Sequence, residues 1–429
     1  MNVIHDLLAF IEASPSAFHT VKSTAQLLNA GGFNELRWGR PWMLAPGGRY
    51  FTRIFGSTLI AFRIGQRLEA GDSRLKIAAC HTDFPGFRVK PNPDIAKGGY
   101  ALVNVSPYGG LNVSSWLDRP LSLAGKIVFK GKNEYEPEVG LIDFTRPMFA
   151  IPRLAPHLAK DTTKEIIDRQ NDLTPIAGLI DAVNGDKGEK YFLTKLGREI
   201  QRDPKTILSY DLNIYPVEHG VSVGMDAEMV SSPRLDNLTS AKACLDGIID
   251  GRVENGIAVA CFFDNEEVGS RTKQGADSSI IRDLLAAIAR GLELDDDTMA
   301  EKIADGFLLS VDVAQGYHPC YSDRYDPTAA PGLGSGVVIK ESASGTYASD
   351  AEAVAIVKGI AGKYGIPVAE FVNRSTVRGG STQGSMLSAA LGMRSQDIGV
   401  PLLAMHSARE LMAAKDMEAL SSLLRAFFD

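Results

Sequence analysis

Four cysteines and seven histidines in 429 residues are few, and each scarcity removes a class of protein. Cys80, Cys244, Cys261 and Cys320 show no CxxC spacing, so neither a disulfide frame nor a structural zinc knuckle is expected. Charge of one sign is not in excess either. The net charge of −7 argues against nucleic acid as a partner. No apolar run is long enough to cross a bilayer, and the opening Met-Asn-Val-Ile-His-Asp stretch lacks the basic start of a signal peptide. A reduced, cytoplasmic protein with no membrane partner is the expectation. With 45% hydrophobic and 23% charged residues, the chain has ordinary globular composition and length for two domains.

What is present is a series of buried-strand patterns that each end in an acid or a histidine. Gly256 to Phe263 is apolar with β-branched and aromatic members, then stops at Asp264-Asn-Glu266-Glu267 and turns at Gly269. Leu75 to Cys80 delivers His81-Thr-Asp83. Period-two geometry puts His81 and Asp83 on one face, where the acid can orient the imidazole. Gly306 to Val311 delivers Asp312, and Val400 to Met405 delivers His406. Asp236-Asn237 opens a helical pattern, a position where an acid is often only a cap. In open α/β sheets the ligand crevice lies at the carboxyl ends of the strands. Two histidines and three carboxylates suit Zn²⁺ and tolerate Mn²⁺ or Co²⁺. One carboxylate shared between two ions gives each two further protein ligands and leaves room for a bridging water, at a local charge of about +1. The remaining glutamate is then a general base.

Between these strands the pattern changes. Val89-Lys-Pro-Asn-Pro-Asp94 is a proline-punctuated exit, and short strands and turns follow to about Tyr215, with a polar, helix-rich stretch near 158–202. The reading is a discontinuous α/β domain, 1–90 plus 227–429, with a mixed sheet flanked by helices, and a β-rich domain inserted at 91–226.

Taken together, His81-Thr-Asp83, Ser-Pro-Arg-Leu-Asp236-Asn, Asp-Asn-Glu266-Glu267-Val-Gly-Ser, Asp312 with His318-Pro319, Gly336-Val-Val-Ile-Lys340 and Met-His406-Ser-Ala-Arg-Glu resemble the aspartyl aminopeptidase family. Ser14-Pro-Ser-Ala-Phe-His19 and Ser115-Trp-Leu-Asp-Arg-Pro-Leu-Ser-Leu-Ala-Gly-Lys126 extend the resemblance from about residue 10 to the C-terminus. The resemblance implies a zinc aminopeptidase-like catalytic domain, an inserted dimerisation domain and a homo-oligomer, a tetrahedral dodecamer. It also implies release of an N-terminal Asp or Glu from peptides with a free N-terminus, by a metal-bridged hydroxide on two Zn²⁺. Residue by residue, Asp236 bridges, His81 and Asp312 complete one ion, and Glu267 and His406 the other. Glu266 is base and acid, and Asp83 supports His81. Lys340, Tyr347 and His318 line the first-residue pocket, with Arg378 of the Arg378–Gly384 loop as a second cation, and His157 reaches a neighbouring subunit's site. The chain departs from the family pattern at Gln315 and at Cys320 to Pro327, on the substrate side. A related dinuclear hydrolase with neutral-residue aminopeptidase or deacylase specificity is the alternative. A non-enzymatic assembly or cargo protein on the same scaffold, and a glycosidase using the glutamate pair, fit the ligand set less well.

Overall fold

The structure, a computed structural model, describes residues 3–68, 73–158, 167–180, 190–377 and 379–429. They divide into two compact units, one of 1–83, 220–405 and 410–429, the other of 84–219 and 406–409. These junctions differ from the sequence-based 90/91 and 226/227. Val89 and Lys90 lie inside a continuous strand, Gly86–Lys97, that hydrogen-bonds only within the second unit's sheet.

In chain order the first unit begins with α1 (Val3–Glu12) and α2 (Ala17–Ala30), then β1 (Asn34–Glu35), β2 (Arg49–Ile54), β3 (Thr58–Ile64) and β4 (Leu75–His81). The second unit contributes β5 (Gly86–Lys97), β6 (Tyr100–Tyr108), β7 (Leu121–Phe129), β8 (Glu138–Asp143), β9 (Ile176–Leu179), α3 (Tyr191–Glu199) and β10 (Ile207–Pro216). The first unit resumes with β11 (Val221–Val223), β12 (Met229–Ser232), α4 (Leu235–Asp250), β13 (Ile257–Phe263), α5 (Ile280–Gly291), α6 (Asp296–Ala304), β14 (Phe307–Val311) and β15 (Ala314–Gln315). It ends with β16 (Val337–Glu341), α7 (Ala351–Tyr364), β17 (Val368–Val372), α8 (Gln383–Leu391), β18 (Ser395–Gly399), β19 (Pro401–Leu402), β20 (Glu410–Ala413) and α9 (Ala414–Phe428).

Nine strands form the first unit's mixed sheet in the order β1-β2-β3-β13-β4-β14-β18-β16-β17. Every residue of β13 is buried, which explains its unbroken apolar sequence: a strand covered on both faces has no polar side to present. Ile280, Leu284, Leu285 and Ile288 of α5, with Leu387 of α8, pack on one face against Ile77, Val259 and Phe263. On the other, α4 packs against β4 and β13 beside α1 and α9. This is the mixed, helix-flanked α/β sheet expected from the sequence. The second unit is a six-stranded sheet, β8-β7-β10-β5-β6-β9, with its own core around Phe87, Trp116, Leu123, Ile127 and Phe192. Of the helix-rich stretch expected at 158–202, α3 is described, while 159–166 and 181–189 lie outside the described residues.

Strand register positions the chemistry. β13, β4 and β14 are adjacent and parallel, with Phe263 paired to His81 and Ser310 to Ala79. Their carboxyl ends therefore finish side by side, and the residues that follow, Asp264 to Glu267 and Asp312, emerge next to His81. An acid run at the end of each strand would be hard to bury singly. Gathered at one crevice, the acids face a shared interior.

Candidate metal centre

His81 is 1% exposed. Its Nδ1 donates to the Asp83 carbonyl at 3.0 Å, so the proton sits on Nδ1 and the Nε2 lone pair faces the crevice. There it meets Asp236 Oδ1 at 3.5 Å, Asp312 Oδ1 at 3.5 Å and Glu266 Oε2 at 4.0 Å. His81, Asp236 and Asp312 each offer a donor atom, all within 4.8 Å of one another, and so do His81, Glu266 and Glu267. Nε2 facing two carboxylate oxygens is favourable only with positive charge there, supplied by a proton in the metal-free protein or by a metal ion. Asp312 Oδ1 is buried and accepts no hydrogen bond. Nitrogen and oxygen donors of this kind, converging in a dry pocket of excess negative charge, fit a divalent ion such as zinc.

Each ligand candidate is held by its backbone. Asp236 follows Arg234, whose φ of 61° turns the chain, and the helical geometry of α4 is broken at Asp236 and Asn237. The Asp236 N–H is taken by Glu410 Oε2 at 3.0 Å, and Asn237 Nδ2 donates to Val311 O at 3.0 Å, tying the α4 start to the end of β14. Glu266 and Glu267 do not continue the strand. Asn265 adopts φ 64° and the pair enters a one-turn 3₁₀ segment, so the alternation that would have sent them to opposite faces is lost. The Asp83 carboxylate fixes that turn, with Oδ1 accepting from Glu266 N–H at 3.1 Å and Oδ2 from Glu267 N–H at 3.2 Å. Asp83 thus reaches His81 mainly through its carbonyl, its carboxylate Oδ1 standing 3.4 Å away.

His406 follows directly on Met405, with φ 64°, and opens the 406–409 segment that groups with the second unit. Within that unit its Nδ1 donates to Gly110 O at 3.0 Å, so Nδ1 carries a proton.

The first-residue pocket candidates fall differently. Lys340 does not close its strand on solvent: it lies inside β16, 1% exposed, its ammonium donating to Val313 O at 3.2 Å and 3.8 Å from Asp312 Oδ2. Tyr347 is buried and meets Lys340 with its ring face, the ammonium 5.1 Å from the centroid. His318 caps a 3₁₀ turn, its Nδ1 accepting from Cys320 N–H, and stacks edge-on with Tyr321. His157 is exposed on the second unit. Arg378 lies outside the described residues. Two residues without an earlier role also emerge: Glu410, which holds Asp236, and Asp397, buried in β18. Glu410 sits in the Met-His406-Ser-Ala-Arg-Glu motif, so its presence there was a signal. Asp397 had no such signal, because Ser395-Gln-Asp-Ile-Gly399 carries no apolar run.

Residues 10–428 match the family model of the aminopeptidase I zinc metalloproteases (M18). The chain belongs to the M18 aminopeptidase family. A probable M18 family aminopeptidase 2 of Clostridium novyi is 41% identical over 416 residues, covering 96% of this chain and 95% of that protein. Among solved structures, a chain of the Ape4 and Nbr1 complex superposes with a TM-score of 0.94 at 32% identity, covering 100% of this chain and 85% of that one. The S. cerevisiae mApe1 dodecamer gives 0.83 at 25% identity over 99% and 95%. This M18 chain is a metallo-aminopeptidase of a zinc-dependent family, and the donor set around His81 suits that metal.

Burial pushes the Glu266 carboxyl up to about 8, opposed by His81 and reinforced by Asp312, Asp83 and Asp236. For His81 burial opposes the charge, but the close carboxylates of Asp236, Asp312 and Asp83 outweigh it and raise its pKa well above the ordinary value. Both shifts have one sign. Groups raised on folding stabilise fully below their unfolded values and lose that contribution as pH rises through the folded ones. The metal-free protein is therefore expected to lose thermal stability between roughly pH 5 and 9, while excess zinc restores it most at the alkaline end. Melting curves of EDTA-treated and zinc-reloaded protein across that range check this; parallel pH profiles would contradict it.

Proposed function

We propose that this aminopeptidase removes an N-terminal Asp or Glu from peptides at a centre of two zinc ions that share Asp236. His81 and Asp312 hold one ion, Glu267 and His406 the other, and Mn²⁺ or Co²⁺ can substitute. The observation that carries the reading is the meeting of His81 Nε2 with Asp236 and Asp312 at 3.5 Å each. Bound zinc supplies Lewis acidity and lowers the pKa of water. The remaining work falls to the chain. Glu266, its backbone held by Asp83 beside the proposed ligands, takes a proton from the attacking water and returns it to the leaving amine. Asp83 fixes both the His81 ring and the backbone of the glutamate pair, so base and ligand share one support.

Selectivity for an acidic first residue is assigned to Lys340. Its ammonium makes one hydrogen bond, to Val313 O, and so has further N–H donors for a substrate carboxylate. Tyr347, His318 and Arg378 complete the proposed pocket. A homo-oligomer, a dodecamer as in the S. cerevisiae mApe1 structure, is the proposed assembly, with the second unit making contacts and His157 reaching a neighbour's site. The cytoplasm is the proposed location.

Glu266→Gln is expected to retain zinc and fold while kcat falls ~10²–10⁴-fold or more, because one group serves as base and acid. A metal-retaining, inactive Glu267→Gln beside an active Glu266→Gln would reverse the assignment. Lys340→Met is expected to lower the preference for acidic over neutral first residues by roughly 10- to 150-fold, the worth of a charge-assisted hydrogen bond. An unchanged ratio on Asp, Glu, Leu and Ala substrates would remove Lys340 from specificity and move the assignment to Arg378, or end the acidic reading where wild type shows no acidic preference.

A further inference from the structure

Behind Lys340 lies a carboxylate that does no work in the reaction as described. Asp397 is fully buried in β18, yet it is the common neighbour of the elements that form the proposed first-residue pocket. In the antiparallel β16–β18 ladder it stands directly opposite Lys340, and in the parallel β14–β18 ladder opposite Ser310. Asp312 is two residues beyond Ser310 and so shares its face. Asp397 Oδ2 accepts from Ala348 N–H at 2.6 Å, and Asp397 N–H donates back to Ala348 O at 2.8 Å. That reciprocal pair seats the loop whose preceding residue is Tyr347.

The start of α8 closes on the same carboxylate. A Cβ at Gly384 would lie 2.6 Å from Asp397 Oδ2 and 2.7 Å from Ser310 Oγ, so only glycine lets the helix backbone approach this closely. The Thr382 hydroxyl faces Asp397 from the N-cap of that helix, at the end of the glycine-rich loop that carries Arg378. Neighbouring bonds reinforce the seam. Gln396 Nε2 donates to Lys340 O at 2.9 Å, and Ser349 Oγ donates to Gln396 Oε1 at 2.9 Å.

Lys340 consequently faces two carboxylates on one side, Asp397 on the adjacent strand and Asp312 beyond the end of the next strand over. Its ammonium is 3.8 Å from Asp312 and forms no closer pair with either. Val313 O takes one of its N–H donors, and others remain. Without Asp397, the charge has one acid to approach, and the Tyr347 loop has lost its acceptor.

We propose that Asp397 is a positioning residue for acidic-substrate selectivity: it fastens Lys340, the Tyr347 loop and the start of α8 into one pocket wall without touching substrate. The inference rests on the acidic-residue reading above.

The test compares KM and kcat on Asp-, Glu-, Leu- and Ala-initiated peptides for wild type and Asp397→Ala, with zinc content measured alongside. For Asp397→Ala, KM on acidic peptides is expected to rise roughly tenfold or more, the loss of one charge-assisted contact. Its zinc content and its kinetics on neutral peptides are expected to stay within about threefold of wild type, a spread smaller than one such contact. Asp397→Asn, which can still accept from Ala348 N–H, is expected to recover part of the acidic KM. If Asp397→Ala does not fold, Ser310→Ala with Thr382→Val removes two hydroxyls facing the same carboxylate and is expected to give a smaller rise with the same acidic selectivity. Equal losses on acidic and neutral peptides, or an unchanged acidic KM in folded variants, would overturn the inference alone. A wild-type enzyme with no acidic preference would overturn the acidic reading itself, and the inference with it.

Discussion

The structure depends on one electrostatic constraint: several carboxylates must be gathered around a single buried imidazole without a matching set of protein cations. Asp236, Asp312, Glu266 and Glu267 stand around His81 in a largely buried crevice, and Lys340 is the one buried lysine ion-paired with them among the described residues. Like charges at these separations are costly where water is scarce. The fold tolerates them because each acid is pinned by its backbone and the group as a whole suits divalent cations. Much of the local architecture is arranged to that end. Positive φ at Arg234 and Asn265 re-aims two acids, and Asp83 and Glu410 accept backbone N–H groups that would otherwise let those turns relax.

The same constraint explains why the site lies where it does. Three adjacent parallel strands end together, so residues far apart in sequence arrive at one place with little freedom. Strand ends and a packed helix carry most of the proposed ligands, while the turn at Glu266–Val268 carries the proposed base and Glu267. Fixed supports of this kind leave little reorganisation for the chemical step. Behind the ligands, a second polar layer links Lys340, Asp397 and the Tyr347 loop, and ties the proposed specificity wall to the sheet that presents Asp312.

Some of this was legible in the sequence for definite reasons. An apolar run that stops at an acid or histidine marks a strand end, and His81, Glu266, Glu267 and Asp312 were found that way. Asp236 was ambiguous because a helix start favours acids for capping alone, and the motif around it added the weight. Other features had no local signature. Which strands are neighbours is decided by long-range pairing, so the adjacency of β4, β13 and β14 could not be read from the separate segments. The burial of Lys340 was hidden for the same reason: its partners, Val313, Asp312 and Asp397, come from two other strands. Asp397 sits in a polar Ser-Gln-Asp segment that gives no strand pattern until its neighbours are known. The unit junctions were misjudged by a few residues because Pro91 and Pro93 look like an exit, whereas β5 runs through them.

The central claim is that two metal ions share Asp236. Anomalous scattering measured at the zinc edge on crystals of the zinc-loaded protein tests it most directly. Two peaks are predicted, one beside His81 and Asp312, the other beside Glu267 and His406, with Asp236 between them. A single peak at full zinc loading, or two peaks with Asp236 bound to neither or to one only, would contradict the account.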